Sequence, residues 1–283
     1  MAQLWKGAPV AAALTEQLSQ RAQALIAKGV TPTLAIVRVG ERPEDLSYER
    51  GALKRCEKVG IAVRQYLLTA TSSQTDLMEV MKEINRDDSI HGCLLFRPLP
   101  KHMDEAAVCA ALSPAKDVDG ITAGSLAAVF SGSGAGYPPC TAQACLEILD
   151  HYGYELKGKR AVVVGRSLVI GKPVSMLLLG RHATVTICHT RTADLPAECR
   201  RADVLVAAAG KAGAVSAQCL APGQVVLDVG INVDEDGNLV GDVDFAAAEN
   251  TVEAITPVPG GVGAVTTSVL ARHVIEAAEK AIG

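Results

Sequence analysis

The stretch "SYERGALKRC", residues 47–56, offers a phenol on a helical face but no titratable partner one turn on. Tyr48 and Ala52 are four apart and share that face, where a tyrosine–lysine pair would make an acid–base site. Lys54 comes two residues past Ala52, roughly 200° around the axis. Arg55 is three past Ala52, on a neighbouring part of the same face, and a guanidinium does not usefully give up its proton. A second stretch, "VVVGRSLVIGKPV" at 162–174, reads as strand, glycine turn and helix. Gly165 ends the strand, Gly171 opens the helix, and Pro173 stands in the first turn, where a missing N–H costs little. Backbone N–H groups and a positive helix end at such a turn suit a pyrophosphate. The spacing is G-x5-G instead of the usual G-x-G-x-x-G, so a plain strand–helix turn is also open. The next strand ends in "CHTRT", where an NAD site would often place a carboxylate for the ribose hydroxyls. His189, Thr190 and Arg191 stand there instead, with Arg166 in the glycine turn, and these suit the 2′-phosphate of NADP. Arg191 alone also reads as a solvated loop charge.

The elements that must position these groups alternate. Helical patterns over "APVAAALTEQLSQRAQALIAKG", "LSYERGALKRCEKVG" and "SQTDLMEVMKEINRDD" are interleaved with strands "TPTLAIVRVG", "IAVRQYLL" and "IHGCLLFRPLP". A second series holds "RAVVVG", "ATVTICH", "ADVLVAAAG", "GQVVLDVGIN" and "NTVEAITPVPGG". This alternation predicts an α/β protein with a largely parallel sheet. The stretch "SGSGAGYPPCT", 131–141, is the linker candidate between the two series. The 283 residues, 49% hydrophobic with 26 glycines, can build a sizeable core. A net charge of −4 argues against a broad nucleic-acid surface. The eight cysteines form no C-x-x-C and no zinc-ligand spacing, so no metal is expected, and small buried thiols in a reducing cytoplasm are. "MAQLWKGAPVAAALTEQL" reads as the start of a helix, not a signal peptide. No apolar run approaches the ~20 residues that span a bilayer.

Five motifs appear in order: "KDVDG" at 116–120, "PPCT" at 138–141, the glycine turn, "DVGIN" at 228–232 and "TPVPGGVG" at 256–263. In that order and at these distances the chain closely resembles the methylenetetrahydrofolate dehydrogenase/methenyltetrahydrofolate cyclohydrolase family over nearly its whole length. The resemblance implies two α/β domains around a cleft, the second a Rossmann-like parallel sheet binding the dinucleotide. It places a folate-binding catalytic domain at 1–143 plus the C-terminal helix 265–283, and an NADP domain at 144–264. It further implies a cytoplasmic homodimer acting on a tetrahydrofolate derivative in one-carbon metabolism. Cofactor contacts then fall on Gly165, Arg166, Ser167, Thr190, Arg191 and Ile231, with Thr141 near the nicotinamide. Tyr48 and Asp119 fall on the folate side as catalytic residues, Asp119 accepting from the pterin amino and N–H groups. Pro259, Gly260 and Gly261 would form a backbone loop near the folate.

The family pattern on the opening helix is Tyr-x-x-x-Lys, and its lysine position is Ala52 here. Its glutamine, within V-Q-L-P, is replaced by Phe96 of "LLFRPLP", and Arg97 stands where leucine is usual. Adjacent strand residues face opposite ways, so Phe96 and Arg97 are not both expected to line the pocket. The expectation is an NADP-dependent dehydrogenase whose cyclohydrolase activity is lost or strongly reduced. The alternatives are a relative acting on another pterin or one-carbon substrate, and a non-catalytic folate- or NADP-binding protein.

Overall fold

The computed structural model describes residues 1–282. The chain begins with β1 (Gln3–Leu4), α1 (Gly7–Ala27), β2 (Thr33–Val39), α2 (Pro43–Val59), β3 (Ala62–Leu68) and α3 (Gln74–Arg86). β4 (Gly92–Leu95), α4 (Glu105–Ala111), α5 (Ala123–Ser131) and α6 (Cys140–His151) follow. Next come β5 (Arg160–Val164), α7 (Gly171–Gly180), β6 (Thr184–Cys188), α8 (Leu195–Arg200), β7 (Val204–Ala207) and β8 (Val225–Asp228). The chain ends with β9 (Asn232–Val233), β10 (Leu239–Val240), α9 (Phe245–Thr251), β11 (Ala254–Ile255) and α10 (Thr266–Ala281). Two compact units result: residues 1–12 with 141–266, and residues 13–140 with 267–283.

The unit of residues 13–140 and 267–283 is built on a parallel sheet in the order β3-β2-β4. β2, "TLAIVRV", is central and buried at every position, as a continuous apolar run in a parallel sheet must be. β3 lies at the edge and stays largely exposed. α2 stops at Gly60, whose left-handed φ of 90° lets its N–H cap the Cys56 carbonyl. α3 opens with a capping box between Ser73 and Asp76. One helix face, Leu77, Met81 and Ile84, packs with β2 and β4 residues Ala35, Val37, Cys93 and Leu95 in a shared core.

The other unit carries a six-stranded parallel sheet, β1-β11-β8-β7-β5-β6. From β5 the chain goes outward to β6, then returns to the far side of β5 as β7. The order therefore reverses between β5 and β7, where parallel α/β sheets open a crevice at the carboxyl ends of their strands. β5, β7 and β8 are valine-rich and almost wholly buried, while β6 is an exposed edge.

The first twelve residues, which the sequence expectation places with the folate-side domain, group by contact with residues 141–266. Gln3 and Leu4 pair in parallel with Ala254 and Ile255, and so extend the six-stranded sheet. A strand of two residues leaves no periodicity to read.

All eight cysteines are buried free thiols. Among the described residues no helix is long and apolar enough to cross a membrane, and no group of three or more His, Cys, Asp or Glu could hold a metal ion.

Candidate active site

α2 sets the register of the first microsite. Its buried face is Asp45, Glu49, Ala52, Cys56 and Val59, and it is pinned by a buried ion pair from Arg38 Nε on β2 to Glu49 Oε2, 2.9 Å. Gln65 on β3 donates to the other Glu49 oxygen at 2.6 Å. With the helix so held, Ala52 is 1% exposed and Lys54 faces solvent. Tyr48, half-buried one turn earlier, meets Phe96 edge-to-face with ring centroids 5.9 Å apart. Ala52 and Phe96 thus bring a methyl and a phenyl ring to this microsite, and the ring packs on Tyr48.

The second part is the "KDVDG" turn. Its first aspartate is structural: the fully buried Asp117 carboxylate accepts from Ile121 N and Thr122 N, 2.9 and 2.7 Å. Lys116 donates to the carbonyls of Ile84 and Asp87, tying the turn to the end of α3. Asp119, the second aspartate of the turn, is half-buried. Burial pushes its carboxyl up to about 6, the Cys140 hydrogen bond pulls it down, Asp117 raises it, and the Arg97 guanidinium lowers it. Burial also pushes the Tyr48 phenol well up, reinforced by the nearby Asp119 and Cys140. Tyr48 is therefore a hydrogen-bond donor at neutral pH and not a base.

Cys140 does more here than the filler thiol its composition suggested. Its Sγ donates to Val118 O at 3.3 Å and reaches the Asp119 carboxyl. His273 of α10 is buried and donates from Nδ1 to the same Val118 carbonyl at 2.8 Å, so two groups hold the peptide that precedes Asp119. No spacing pattern in the sequence connects residues 118, 140 and 273. Arg97 also departs from expectation. β4 ends at Leu95, so strand alternation does not reach 96 and 97. Phe96 turns to Tyr48, while Arg97 contacts Glu105 at 3.5 Å with its charge still felt at Asp119.

In the other unit the glycine turn sits at the sheet's order reversal. Gly165 follows β5 with φ of 135°, and a Cβ there would lie 2.1 Å from the Ala208 carbonyl oxygen that follows β7. Only glycine lets these strand ends approach, leaving a cradle of backbone ahead of α7. We expect Gly165→Ala to destabilise the fold by about 2 kcal/mol or more and to abolish dinucleotide binding. Thermal unfolding and a cofactor titration check both halves.

Ser167 Oγ accepts from Ile170 N at 3.1 Å and Gly171 N at 3.4 Å, ordering the start of α7, and its own O–H remains to donate. Arg166, Thr190 and Arg191 are exposed at the ends of the paired strands β5 and β6. His189 organises that loop, its Nδ1 accepting from Arg191 N at 3.1 Å. Ile231, 67% exposed, follows β8, and Pro259 and Gly260 are exposed beyond β11, with Gly261 buried. Asp228 and Asp242, fully or nearly buried, hold these loops: Asp228 accepts from the N–H groups of Gly230, Asp242 and Val243, and Asp242 from those of Ala209, Gly210 and Lys211. Neither was singled out in the sequence, although each sits in a "D-V" pair beside a glycine. Thr141 lies in the first turn of α6, half-buried.

Comparison with known proteins agrees with both halves. Residues 5–119 match the catalytic domain, and residues 139–282 the NAD(P)-binding domain, of tetrahydrofolate dehydrogenase/cyclohydrolase. The chain is 51% identical over 275 residues to the bifunctional protein FolD of Clostridioides difficile (strain 630), covering 97% of this chain and 96% of that one. The crystal structure of the FolD methylenetetrahydrofolate dehydrogenase/cyclohydrolase of Campylobacter jejuni superimposes with a TM-score of 0.96 at 35% identity, over 99% of each chain. The Trypanosoma brucei FolD, complexed with NADP cofactor and inhibitor, gives 0.93 at 33% identity, over 99% of this chain and 98% of that one. With both domain models matched in order and relatives at this identity over the full length, the chain belongs to the tetrahydrofolate dehydrogenase/cyclohydrolase family.

Proposed function

We propose that this enzyme oxidises 5,10-methylenetetrahydrofolate to 5,10-methenyltetrahydrofolate with NADP, and that its hydrolysis of the methenyl product to 10-formyltetrahydrofolate is lost or strongly reduced. The observation that carries the second half is the apolar microsite: a buried Ala52 methyl and the Phe96 ring against Tyr48.

NADP, when bound, supplies the hydride acceptor. The Gly165 turn, the N-terminal end of α7 and the Ser167 hydroxyl fit its pyrophosphate, and Arg166, Thr190 and Arg191 suit its 2′-phosphate. Ile231, Thr141 and the Pro259–Gly261 loop complete the proposed contacts. We expect Arg191→Gln to weaken NADP binding about tenfold while leaving NAD binding unchanged, as for one exposed charge-assisted contact; parallel titrations with the two dinucleotides read it directly.

On the folate side, Asp119 accepts from the pterin amino and N–H groups, and Tyr48 donates a hydrogen bond. Hydride loss is driven by the lone pair of the adjacent folate nitrogen, so the protein's task there is orientation. Hydrolysis differs, because water must add to the methenyl carbon while protons move on and off nitrogen. Ala52 and Phe96 cannot move a proton, the Tyr48 phenol is held protonated, and Asp119 is committed to the pterin. Kinship with the family supports a homodimer working in the cytosol.

The test is a paired assay on the purified chain. One arm follows NADPH formation from methylenetetrahydrofolate, and the other the decay of methenyltetrahydrofolate against a buffer blank. Reduction of NADP without accelerated decay is the expected pair. Decay as fast as dehydrogenation would overturn the monofunctional half. Phe96 and Arg97 would also reshape the pocket for a different pterin, and failure to bind any tetrahydrofolate would favour that reading.

A further inference from the structure

A cavity of about 570 Å³ opens in the unit of residues 13–140 and 267–283, and neither Phe96 nor Asp119 is among its lining residues. His91, on its wall, precedes β4 and bonds to Thr33 at the start of β2. The cavity therefore lies at the amino ends of β2 and β4, and the carboxyl end of β4 leads to Phe96, about 17 Å along the strand from His91.

Its polar wall is made of Lys116, Lys280, His91, Tyr137 and Asp88. Lys116 spends two of its protons on the Ile84 and Asp87 carbonyls and keeps a third. Lys280 Nζ stands 4.5 Å over the centroid of the Tyr137 ring. The carboxylates one turn and one residue before it are taken, Glu276 by Arg272 and Glu279 by Arg21, so its charge is not neutralised on its own helix. His91 accepts the Thr33 N–H at Nδ1, 3.2 Å, which leaves its ring proton on Nε2 as a donor. Tyr137 contributes its ring to the wall, and its hydroxyl is buried out of the cavity's reach. Asp88 lines the wall as well, and the Glu276 and Glu279 carboxylates act on the Tyr137 phenol from α10.

We propose that this cavity is a binding site for a small oxyanion, a phosphate or carboxylate group, distinct from the cofactor and folate sites. Two ammonium groups and an imidazole N–H stand on one wall, and the volume admits a ligand of metabolite size. The proposal does not depend on which folate reaction the enzyme performs.

The experiment uses the full chain saturated with NADP, so that the cofactor's own phosphate contacts are filled. Inorganic phosphate and citrate are titrated separately at constant ionic strength, by calorimetry and by thermal shift. Lys280→Gln is compared with the parent, and Tyr137→Phe, which removes a hydroxyl the cavity does not reach, is the control. Lys280 is exposed, and Tyr137→Phe removes only an unpartnered buried hydroxyl, so both variants should fold. The expected result is saturable binding of at least one anion, weakened fivefold or more in Lys280→Gln and unchanged in Tyr137→Phe. Saturation by phosphate alone marks a phosphate site and by citrate alone a carboxylate site. The absence of saturation by both, or equal affinity in parent and Lys280→Gln, would overturn the proposal.

Discussion

Replacing Ala52 with lysine and Phe96 with glutamine together raises methenyltetrahydrofolate hydrolysis by ~10²–10⁴-fold over the parent, the usual worth of acid–base assistance. The dehydrogenase arm stays within about tenfold, since that step depends on positioning. The reasoning starts from α2. Ala52 is 1% exposed on a helix whose pitch is fixed by the Arg38–Glu49 pair, so a lysine there must grow towards Tyr48 and Phe96 or strain the core. Beside a phenyl ring its ammonium would lose solvation without gaining a partner, which lowers its pKa and costs stability. Ala52→Lys alone is thus expected to be the less stable variant and the weaker hydrolase. Phe96→Gln supplies a polar amide and relieves the contact with Tyr48. The measurement is methenyl decay in parent, single and double variants, with thermal unfolding alongside. A parent that already hydrolyses at the rate of the double variant would show that another group moves the proton.

The second large effect belongs to Asp119. Asp119→Asn is expected to lower kcat/KM for the folate about 10²-fold, with NADP affinity unchanged, because two charge-assisted hydrogen bonds become neutral or misdirected. The parent should show the same loss as a function of pH. With the carboxyl at about 6, the accepting form dominates above that pH, and kcat/KM should fall tenfold per unit below it. Removing a group that lowers the value moves the midpoint up, so Arg97→Leu and Cys140→Ala should each shift the acid limb to higher pH. Stability runs the other way over this window. Both Asp119 and Asp228 sit at about 6 in the folded chain, above the ordinary carboxylate value of 3.8, chiefly through burial. The folded state holds their protons more tightly than the unfolded state does, so their contribution to stability is lost as pH rises from about 4 to about 6. Activity should therefore climb through the interval in which these two groups make the fold less stable. Denaturant titrations at pH 4.5, 5.5 and 6.5, for the parent and Asp119→Asn, test the opposition.

Local chemistry made much of this fold readable in advance. Gly60 as a helix stop and Ser72 or Ser73 as a helix start follow from a few neighbouring residues, and Gly60 and Ser73 take those places. The buried run of β2 and the valine strands of the larger sheet follow from apolar content alone. The Ala52 register was legible because helix geometry ties it to Tyr48. What escaped depends on partners far apart in the chain. Cys140 and His273 converge on one carbonyl from 133 residues apart, and neither carries a local signal. Arg38 and Glu49 each look like surface charges until β2 and α2 meet. Phe96 and Arg97 were read as continuing a strand that stops at Leu95. The placement of Ser167 at the glycine turn was visible, whereas its work in ordering the first turn of α7 was not.

The pairing of Gln3–Leu4 with Ala254–Ile255 bears on how the chain is made. The partner strand of β1 leaves the ribosome some 250 residues after β1 itself. The unit of residues 13–140 must likewise wait for 267–283 to supply its last helix. The first unit cannot close before residues up to 266 have been made, nor the second before 267–283, although the local turns, the capping box and the β2–β3–β4 pairings can form early. Domain-by-domain folding during synthesis, the usual route for chains of this length, is thereby replaced by a late, joint completion. Stalled or truncated products should consequently remain protease-sensitive throughout, and not leave one finished half behind.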